Sequence, residues 1–297
     1  MARIFRFLLW AAQFPSQTQT KKLAKFCAQV LVLCRATAAR DTRTNLALCF
    51  PELNPRQLDQ WVHESLVNLC LLFFEFAQFA FWPKEKLLGQ ITTVEGKERL
   101  DAAVDGGAGV VLLVPHFGNW EILSVYLSDH YDLAALYDPP KIKALDAPVL
   151  QARRRFGSNL FPINTSGIRS LFKSLKQGHI VAILPDQVPA RSAGINVDFF
   201  GNSALTMTLA HRLVSQSPRP VLFASVQRRF VSDGYTYKLC IEAAPPDLVS
   251  RDTDSSARAM NRCLESIIRR APVQYQWAYK RFKRAEPLGE KNVYRRQ

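Results

Sequence analysis

The hydrophobic pattern changes character after residue 95. From there on, short apolar runs rich in β-branched residues alternate with longer amphipathic stretches, which indicates buried strands alternating with helices. This alternation predicts an α/β fold, with a mixed central sheet flanked by helices. The predicted strands are 109–114, 133–138, 179–185, 220–227 and 235–242; the predicted helices are 121–128, 143–156, 167–177, 204–217 and 253–270. The last two strands are separated by residues 231–234, a turn typical of an antiparallel hairpin.

The N-terminal region has a different pattern. Residues 4–14 and 23–34 are apolar with basic flanks, but each is too short to cross a bilayer. Such segments are typical of helices that lie on a membrane surface, and a helical hairpin packed on the core is the alternative. We therefore predict a membrane-associating helical region over residues 1–38, followed by a single α/β domain over residues 39–297.

Residues 66–82 form an almost uninterrupted apolar run, with Glu75 as its only charge and Pro83 at its end. Asn54 can cap the helix that begins at Pro55 and leads into this run. A charge in mid-helix argues against a membrane span. Two interpretations stay open: a core helix whose Glu75 is hydrogen-bonded, or a helix lining an apolar groove for an acyl chain or lipid.

Composition narrows the class of protein. The chain has 297 residues, of which 48% are hydrophobic and 22% charged, as in globular proteins. The net charge of +14 favours an anionic partner, which can be nucleic acid, a lipid surface or an acidic protein. The six cysteines lack the spacing of a zinc site, so we interpret them as reduced, buried residues and predict no metal.

The main candidate site is residues 114–121, which connect a predicted strand to a predicted helix. His116 is suited to take a proton from a hydroxyl, and the Glu121 carboxylate can orient an imidazole. Gly118 permits a tight turn, and backbone N–H groups of residues 118–120, including that of Asn119, can face an oxyanion. The alternative is a histidine that merely caps a helix.

Three further clusters contain residues suited to chemistry or to ligand binding. Asp186 and Gln187 follow another apolar strand, and because parallel strands end at the same edge, Asp186 is expected near His116. Residues 153–155 are three consecutive arginines, one of which can bind a phosphate or carboxylate through two bonds. Residues 274–284 interleave aromatic and basic side chains, which suits either single-stranded nucleic acid or a lipid headgroup layer.

Together these motifs resemble a known family. The spacing of His116 and Glu121 is similar to the H-x4-D/E motif of glycerolipid acyltransferases. Several distant segments are similar, in the same order, to those of the bacterial lipid A secondary acyltransferases. They are Arg43-Thr44-Asn45-Leu46-Ala47-Leu48-Cys49-Phe50-Pro51-Glu52-Leu53, Pro185-Asp186-Gln187, Phe199-Phe200-Gly201 with Ala204 and Thr206, and Gln274-Tyr275-x-Trp277-x-x-x-Arg281-Phe282-Lys283.

The resemblance implies an enzyme at the cytoplasmic face of the bacterial inner membrane. It would move a fatty acyl chain from acyl carrier protein to a hydroxyl of an anionic lipid A precursor, with no cofactor. It implies that His116 is the general base and Glu121 its partner, that Arg155 is the functional arginine, and that Asp186 is a second acidic site residue.

Two alternatives remain. The acceptor can be another lipid, such as a lysophospholipid, an ornithine lipid or a glycolipid. The chain can also be a basic membrane- or nucleic-acid-binding protein without catalysis, although the resemblance leads us to expect no nucleic acid partner.

Overall fold

The computed structural model describes residues 2–140, 142–215, 219–284 and 293–294. Its helices are α1 (Ala2–Ala11), α2 (Gln17–Leu33), α3 (Thr37–Cys49), α4 (Pro55–Phe81), α5 (Lys84–Leu88), α6 (Lys97–Asp105), α7 (Trp120–His130), α8 (Asp146–Arg154), α9 (Thr165–Lys176), α10 (Leu209–Val214) and α11 (Thr253–Arg270). Its strands are β1 (Ile91–Glu95), β2 (Val110–Leu113), β3 (Leu133–Tyr137), β4 (Asn159–Pro162), β5 (Ile180–Ile183), β6 (Gly194–Phe199), β7 (Asn202–Met207), β8 (Val221–Val231) and β9 (Gly234–Ala243).

The sheet confirms the predicted mixed α/β fold. Within the described ranges, seven strands pair in the order β1-β9-β8-β2-β5-β3-β4. β2, β3, β4, β5 and β8 run parallel to one another, and β9 returns antiparallel to β8 as the predicted hairpin. β2 and β5 are buried along their whole length, as expected for central strands covered on both faces. Their carboxyl ends therefore meet at one edge of the sheet.

The long helix α4 is anchored in the core. Asn54 and Gln57 form a capping box at its start, as their sequence spacing predicts. Its length and composition would allow it to cross a membrane, yet 56% of its most apolar window is buried within the protein. Glu75 is buried and accepts bonds from the Arg228 side chain on β8, at 2.5 Å for Nε and 2.6 Å for Nη2. The core interpretation with a hydrogen-bonded Glu75 is thus confirmed.

The helices α1 and α2 pack on α4 and leave an apolar face uncovered. Leu9 of α1 and Ala12 just after it are buried against Ala77, whereas the opposite side of both helices is exposed. The exposed large apolar side chains of this face, which we call the N-terminal apolar face, are Phe7, Leu8, Trp10, Phe14, Leu23, Phe26, Val30 and Leu33. Basic residues border it, among them Arg6, Lys22 and Lys25. Cys27 and Cys34 are also exposed here, contrary to the predicted burial of the cysteines.

Some predicted elements were wrong or missing. Residues 204–217 were predicted as one helix, but their first part is β7, which pairs antiparallel with β6, and only α10 is helical; residues 216–217 lie outside the described residues. The predicted helix 143–156 begins with a 3-10 turn and becomes α-helical only at Asp146. β1 and β4 are edge strands with few buried positions, so they lacked the apolar runs by which strands were recognised.

Candidate active site

The site lies where β2 and β5 end side by side. Leu113 of β2 and Ile183 of β5 are partners in the parallel register, and each strand continues into a loop that carries polar residues. His116 lies three residues beyond the first strand end and Asp186 three residues beyond the second. The parallel pairing therefore brings the two residues together, as predicted from the order of strands and loops.

The His116 ring and the Asp186 carboxylate form a direct pair. His116 Nδ1 lies 2.7 Å from Asp186 Oδ1, and the His116 backbone N–H donates to Oδ2 at 2.8 Å. The Asp186 side chain is 1% exposed. Such burial on its own raises the pKa of a carboxyl group, but the charge and hydrogen bonds of His116 outweigh it and lower the pKa of Asp186 below its ordinary value. Asp186 is therefore a carboxylate throughout the physiological range.

This charge fixes the tautomer of the imidazole. An ionised carboxylate only accepts hydrogen bonds, so Nδ1 of His116 carries a proton, and in the neutral ring Nε2 is the nitrogen with the lone pair. Gln187 Nε2 lies 3.1 Å from His116 Nε2 and donates to it in that state. A hydroxyl in the place of the Gln187 amide could donate to the same nitrogen. The arrangement is suited to general-base chemistry.

A C-terminal segment braces the His116 loop. The backbone N–H of Gly118 donates to the Gln274 carbonyl at 3.0 Å, and Gln276 N–H donates to the His116 carbonyl at 3.1 Å. Gly118 has a φ of +58°, and a Cβ there would lie 1.7 Å from the Val226 carbonyl oxygen, so only glycine fits. The predicted use of the Gly118 N–H for an oxyanion is thus corrected, because Gln274 already takes that donor.

Asn119 and Glu121 also differ from their expected places. The Asn119 side chain is buried and donates to the Tyr237 hydroxyl at 3.0 Å. This bond links the His116 loop to β9. Glu121 was expected to bond to His116, but its carboxylate accepts from Arg153 instead, with Nε 3.1 Å from Oε2 and a second, shorter bond from Nη2. Asp186 occupies the place at the imidazole that was predicted for Glu121.

The arginine cluster needs a similar correction. Arg155 donates to the carbonyls of Phe79 and Trp82 at the end of α4, at 3.1 and 2.8 Å, so it stabilises that helix end. Of the three arginines, Arg153 is the one that binds a carboxylate through two bonds, that of Glu121. Helix phase could have identified it, because Arg153 lies four residues after Val149 and beside the buried Ala152, on the side of α8 that faces the protein.

The Glu121–Arg153 pair borders a cavity of about 330 Å³. Three of its lining residues are apolar and three are charged: Phe76, Glu121, Asp138, Pro140, Val149 and Arg153. Its volume is in the range of ordinary ligand pockets. Phe76 comes from the apolar run of α4, so this helix packs in the core and also contributes one side chain to the cavity. The other interpretation of α4, a groove for an acyl chain or lipid, stays a prediction.

The comparisons with known proteins identify a family. The model of the family described as bacterial lipid A biosynthesis acyltransferase matches residues 4–284. Two relatives from Escherichia coli (strain K12) are a lipid A biosynthesis myristoyltransferase, 30% identical over 88% of this chain and 80% of the relative, and a palmitoleoyltransferase, 29% identical over 85% and 80%. A lauroyltransferase of the same organism is 26% identical over 86% of this chain and 82% of its own. The chain therefore belongs to the bacterial lipid A biosynthesis acyltransferase family.

Proposed function

We propose that this enzyme carries out secondary acylation of lipid A, moving a fatty acyl chain from acyl carrier protein to a hydroxyl of the lipid A precursor. The observation that carries the proposal is the His116–Asp186 pair, 2.7 Å apart, in a chain of this family. A neutral imidazole with its Nδ1–H fixed on a buried carboxylate is suited to activate an alcohol.

In the proposed reaction, the acceptor hydroxyl displaces the Gln187 amide from His116 Nε2. As Nε2 takes the hydroxyl proton, the oxygen attacks the thioester carbonyl carbon and forms a tetrahedral oxyanion. The intermediate collapses, the carbon–sulfur bond breaks, and the thiolate leaves with the proton that His116 had taken. Asp186 stabilises the imidazolium between these two steps, so an ester and a thiol are formed and the enzyme returns to its starting state.

Glu121 acts in this proposal through Arg153. The carboxylate holds Nε and Nη2 of the guanidinium, so Nη1 remains available toward the cavity. Burial would lower the pKa of Arg153, but the charge of Glu121 raises it, and the guanidinium stays charged. A fixed, charged Arg153 is suited to bind a phosphate of the acceptor or a developing oxyanion. Phe76 and Val149 give the same cavity an apolar side for the acyl chain.

We place the enzyme on the cytoplasmic face of the inner membrane, with residues 1–38 as its membrane-associating region. The N-terminal apolar face carries four aromatic side chains, and cations border it, a combination that favours an anionic lipid surface. α1 also packs next to Phe76, which lines the cavity. A lipid substrate could therefore pass from the bilayer to the cavity over a short distance.

Membrane binding is expected to weaken when this face is made polar. In the variant Phe7→Asp/Phe26→Asp, both residues being more than 60% exposed, the fraction bound to phosphatidylglycerol-containing vesicles should fall severalfold in a flotation assay. The matched control is Val249→Asp/Ile163→Asp, which changes two exposed apolar residues elsewhere and should bind like wild type. Equal binding of all three proteins would contradict the proposed face.

Mass spectrometry of lipid A tests the function itself. Cells that lack the gene should contain lipid A with one fatty acyl chain fewer, and wild-type protein should restore the missing mass. His116→Ala protein, expressed to the same level and still bound to membranes, should not restore it. If lipid A is unchanged by the deletion while another lipid class loses an acyl chain, the acceptor is that lipid, and the lipid A proposal is wrong.

A further inference from the structure

The exposed side of α9 carries a row of cations close to the site. Arg169, Lys173 and Lys176 are spaced by four and three residues, so they lie along one side of the helix. Leu171 and Leu175 are buried on the opposite side. Arg154, at the end of α8, is exposed as well, and its Nη2 reaches the Leu160 carbonyl on the neighbouring β4. Arg154, Arg169 and Lys173, with Ile163 between β4 and α9, are referred to here as the α9 surface.

These charges are not neutralised within the protein. Among the described residues, no carboxylate lies within salt-bridge distance of Arg154, Arg169 or Lys173, whereas some other cations are paired, such as Arg258 with Asp254. Neighbouring cations repel one another, and a surface that keeps them unpaired attracts a negatively charged partner. The charge of these three side chains is therefore available to such a partner.

Two residues of the α9 surface adjoin residues that line the cavity. Tyr137 of β3 and Pro162 of β4 are partners in the parallel register, so the next residues, Asp138 and Ile163, leave the sheet on neighbouring strands. Asp138 lines the cavity, and Ile163 is 55% exposed. Arg154 directly follows Arg153, another lining residue. Arg169 and Lys173 lie further along α9, so a partner that covers this surface would reach the cavity lining at Ile163 and Arg154.

The composition of this surface favours a protein over a bilayer. Ile163 is its only large exposed apolar side chain among the described residues, whereas the N-terminal apolar face presents eight of them. A few cations around one apolar residue are typical of a site for an acidic protein with a small apolar contact. We propose that the α9 surface is the docking site of the acidic acyl carrier protein, oriented so that its thioester enters the cavity. This inference rests on the proposed function, in which that protein is the acyl donor.

Charge reversal separates docking from chemistry. With Arg169→Glu/Lys173→Glu, the KM for acyl carrier protein loaded with a fatty acyl chain should rise about tenfold at low salt, because electrostatic steering is lost, while kcat stays unchanged. With an acyl-pantetheine thioester, which lacks the protein, the variant and the wild type should show the same kcat/KM. The difference in KM should shrink as salt is added, since salt screens the interaction.

The matched control is Arg56→Glu/Arg251→Glu, which makes the same change in net charge at two exposed arginines away from the α9 surface. It should leave the KM for the acylated carrier near the wild-type value. An unchanged KM in Arg169→Glu/Lys173→Glu overturns the docking site, and so does a loss of vesicle binding by that variant in place of the rise in KM. If wild-type enzyme uses acyl-pantetheine with the same kcat/KM as the acylated carrier, the donor assignment itself is wrong.

Discussion

Replacing Asp186 with asparagine is expected to lower kcat about 10²- to 10⁴-fold while the protein stays folded. Asp186 Oδ2 accepts the His116 backbone N–H, and Oδ1 faces Nδ1. An asparagine keeps its oxygen on the backbone N–H and turns its NH2 group toward Nδ1. Nδ1 must then accept, the imidazole proton moves to Nε2, and the nitrogen that faces the acceptor hydroxyl can no longer take a proton.

Steady-state kinetics and NMR of the histidine ring check this result. The control is Asp138→Asn, which removes an exposed carboxylate of the cavity without touching the imidazole, and its kcat should stay close to that of wild type. The ¹⁵N shifts of His116 should report the Nδ1–H tautomer in wild type and the Nε2–H tautomer in Asp186→Asn. A fully active variant with the Nε2–H tautomer would exclude the proposed base.

The same pair has a defined dependence on pH. The pKa of Asp186 is lowered on folding, so the native state stabilises the carboxylate. The stability that this provides is fully present above the unfolded value of about 3.9 and is lost as pH falls through the lower folded pKa. In urea unfolding, the difference between wild type and Asp186→Asn should therefore be smaller at pH 2 than at pH 5. A difference that stays the same from pH 5 down to pH 2 would contradict the lowered pKa.

Replacing Glu75 with glutamine should be the most destabilising of the conservative changes considered, at about 3–5 kcal/mol. Glu75 and Arg228 are both buried, and the carboxylate accepts two bonds from the guanidinium. Burial lowers the pKa of Arg228, but the charge of Glu75 raises it above its ordinary value, so the guanidinium stays charged. The glutamine would leave that cation in the core with only neutral partners such as Asn68.

Urea unfolding of single and double variants tests whether the unpaired charge of Arg228 causes the loss of stability. Glu75→Leu/Arg228→Met removes both charges and should recover much of the lost stability. The control is Asp254→Asn, which breaks the exposed pair with Arg258 and should change the free energy of unfolding little. If the double variant is less stable than Glu75→Gln, the hydrogen-bonded network matters more than the unpaired cation.

Most of the fold could be predicted from local pattern. The buried strands β2 and β5 are continuous apolar runs, and α11 was predicted with its observed bounds from its periodicity. In the structure, the Asp252 side chain caps the start of that helix. β7 was mistaken for a helix because its conformation is decided by its pairing with β6. The residues of β7 alone do not show that pairing. Sequence periodicity cannot report which segment lies alongside another.

The candidate site likewise has features that the sequence predicted and features that it did not. The approach of Asp186 to His116 followed from the rule that parallel strands end at one edge, and it needed no detail of side chains. The partner of Glu121 did not follow, because a carboxylate in the first turn of α7, five residues after the histidine, can face either the ring or α8, and only the packing of α8 decides. The use of Gly118 N–H by Gln274 was invisible for the same reason.

The contacts from residues 274–276 make the His116 loop depend on a segment far along the chain. Synthesis starts at the N-terminus, so the ribosome makes the His116 loop well before Gln276. Until that segment arrives, the His116 carbonyl and the Gly118 N–H lack the partners that fix the loop. The loop can therefore take its final position only after Gln274 and Gln276 have been made.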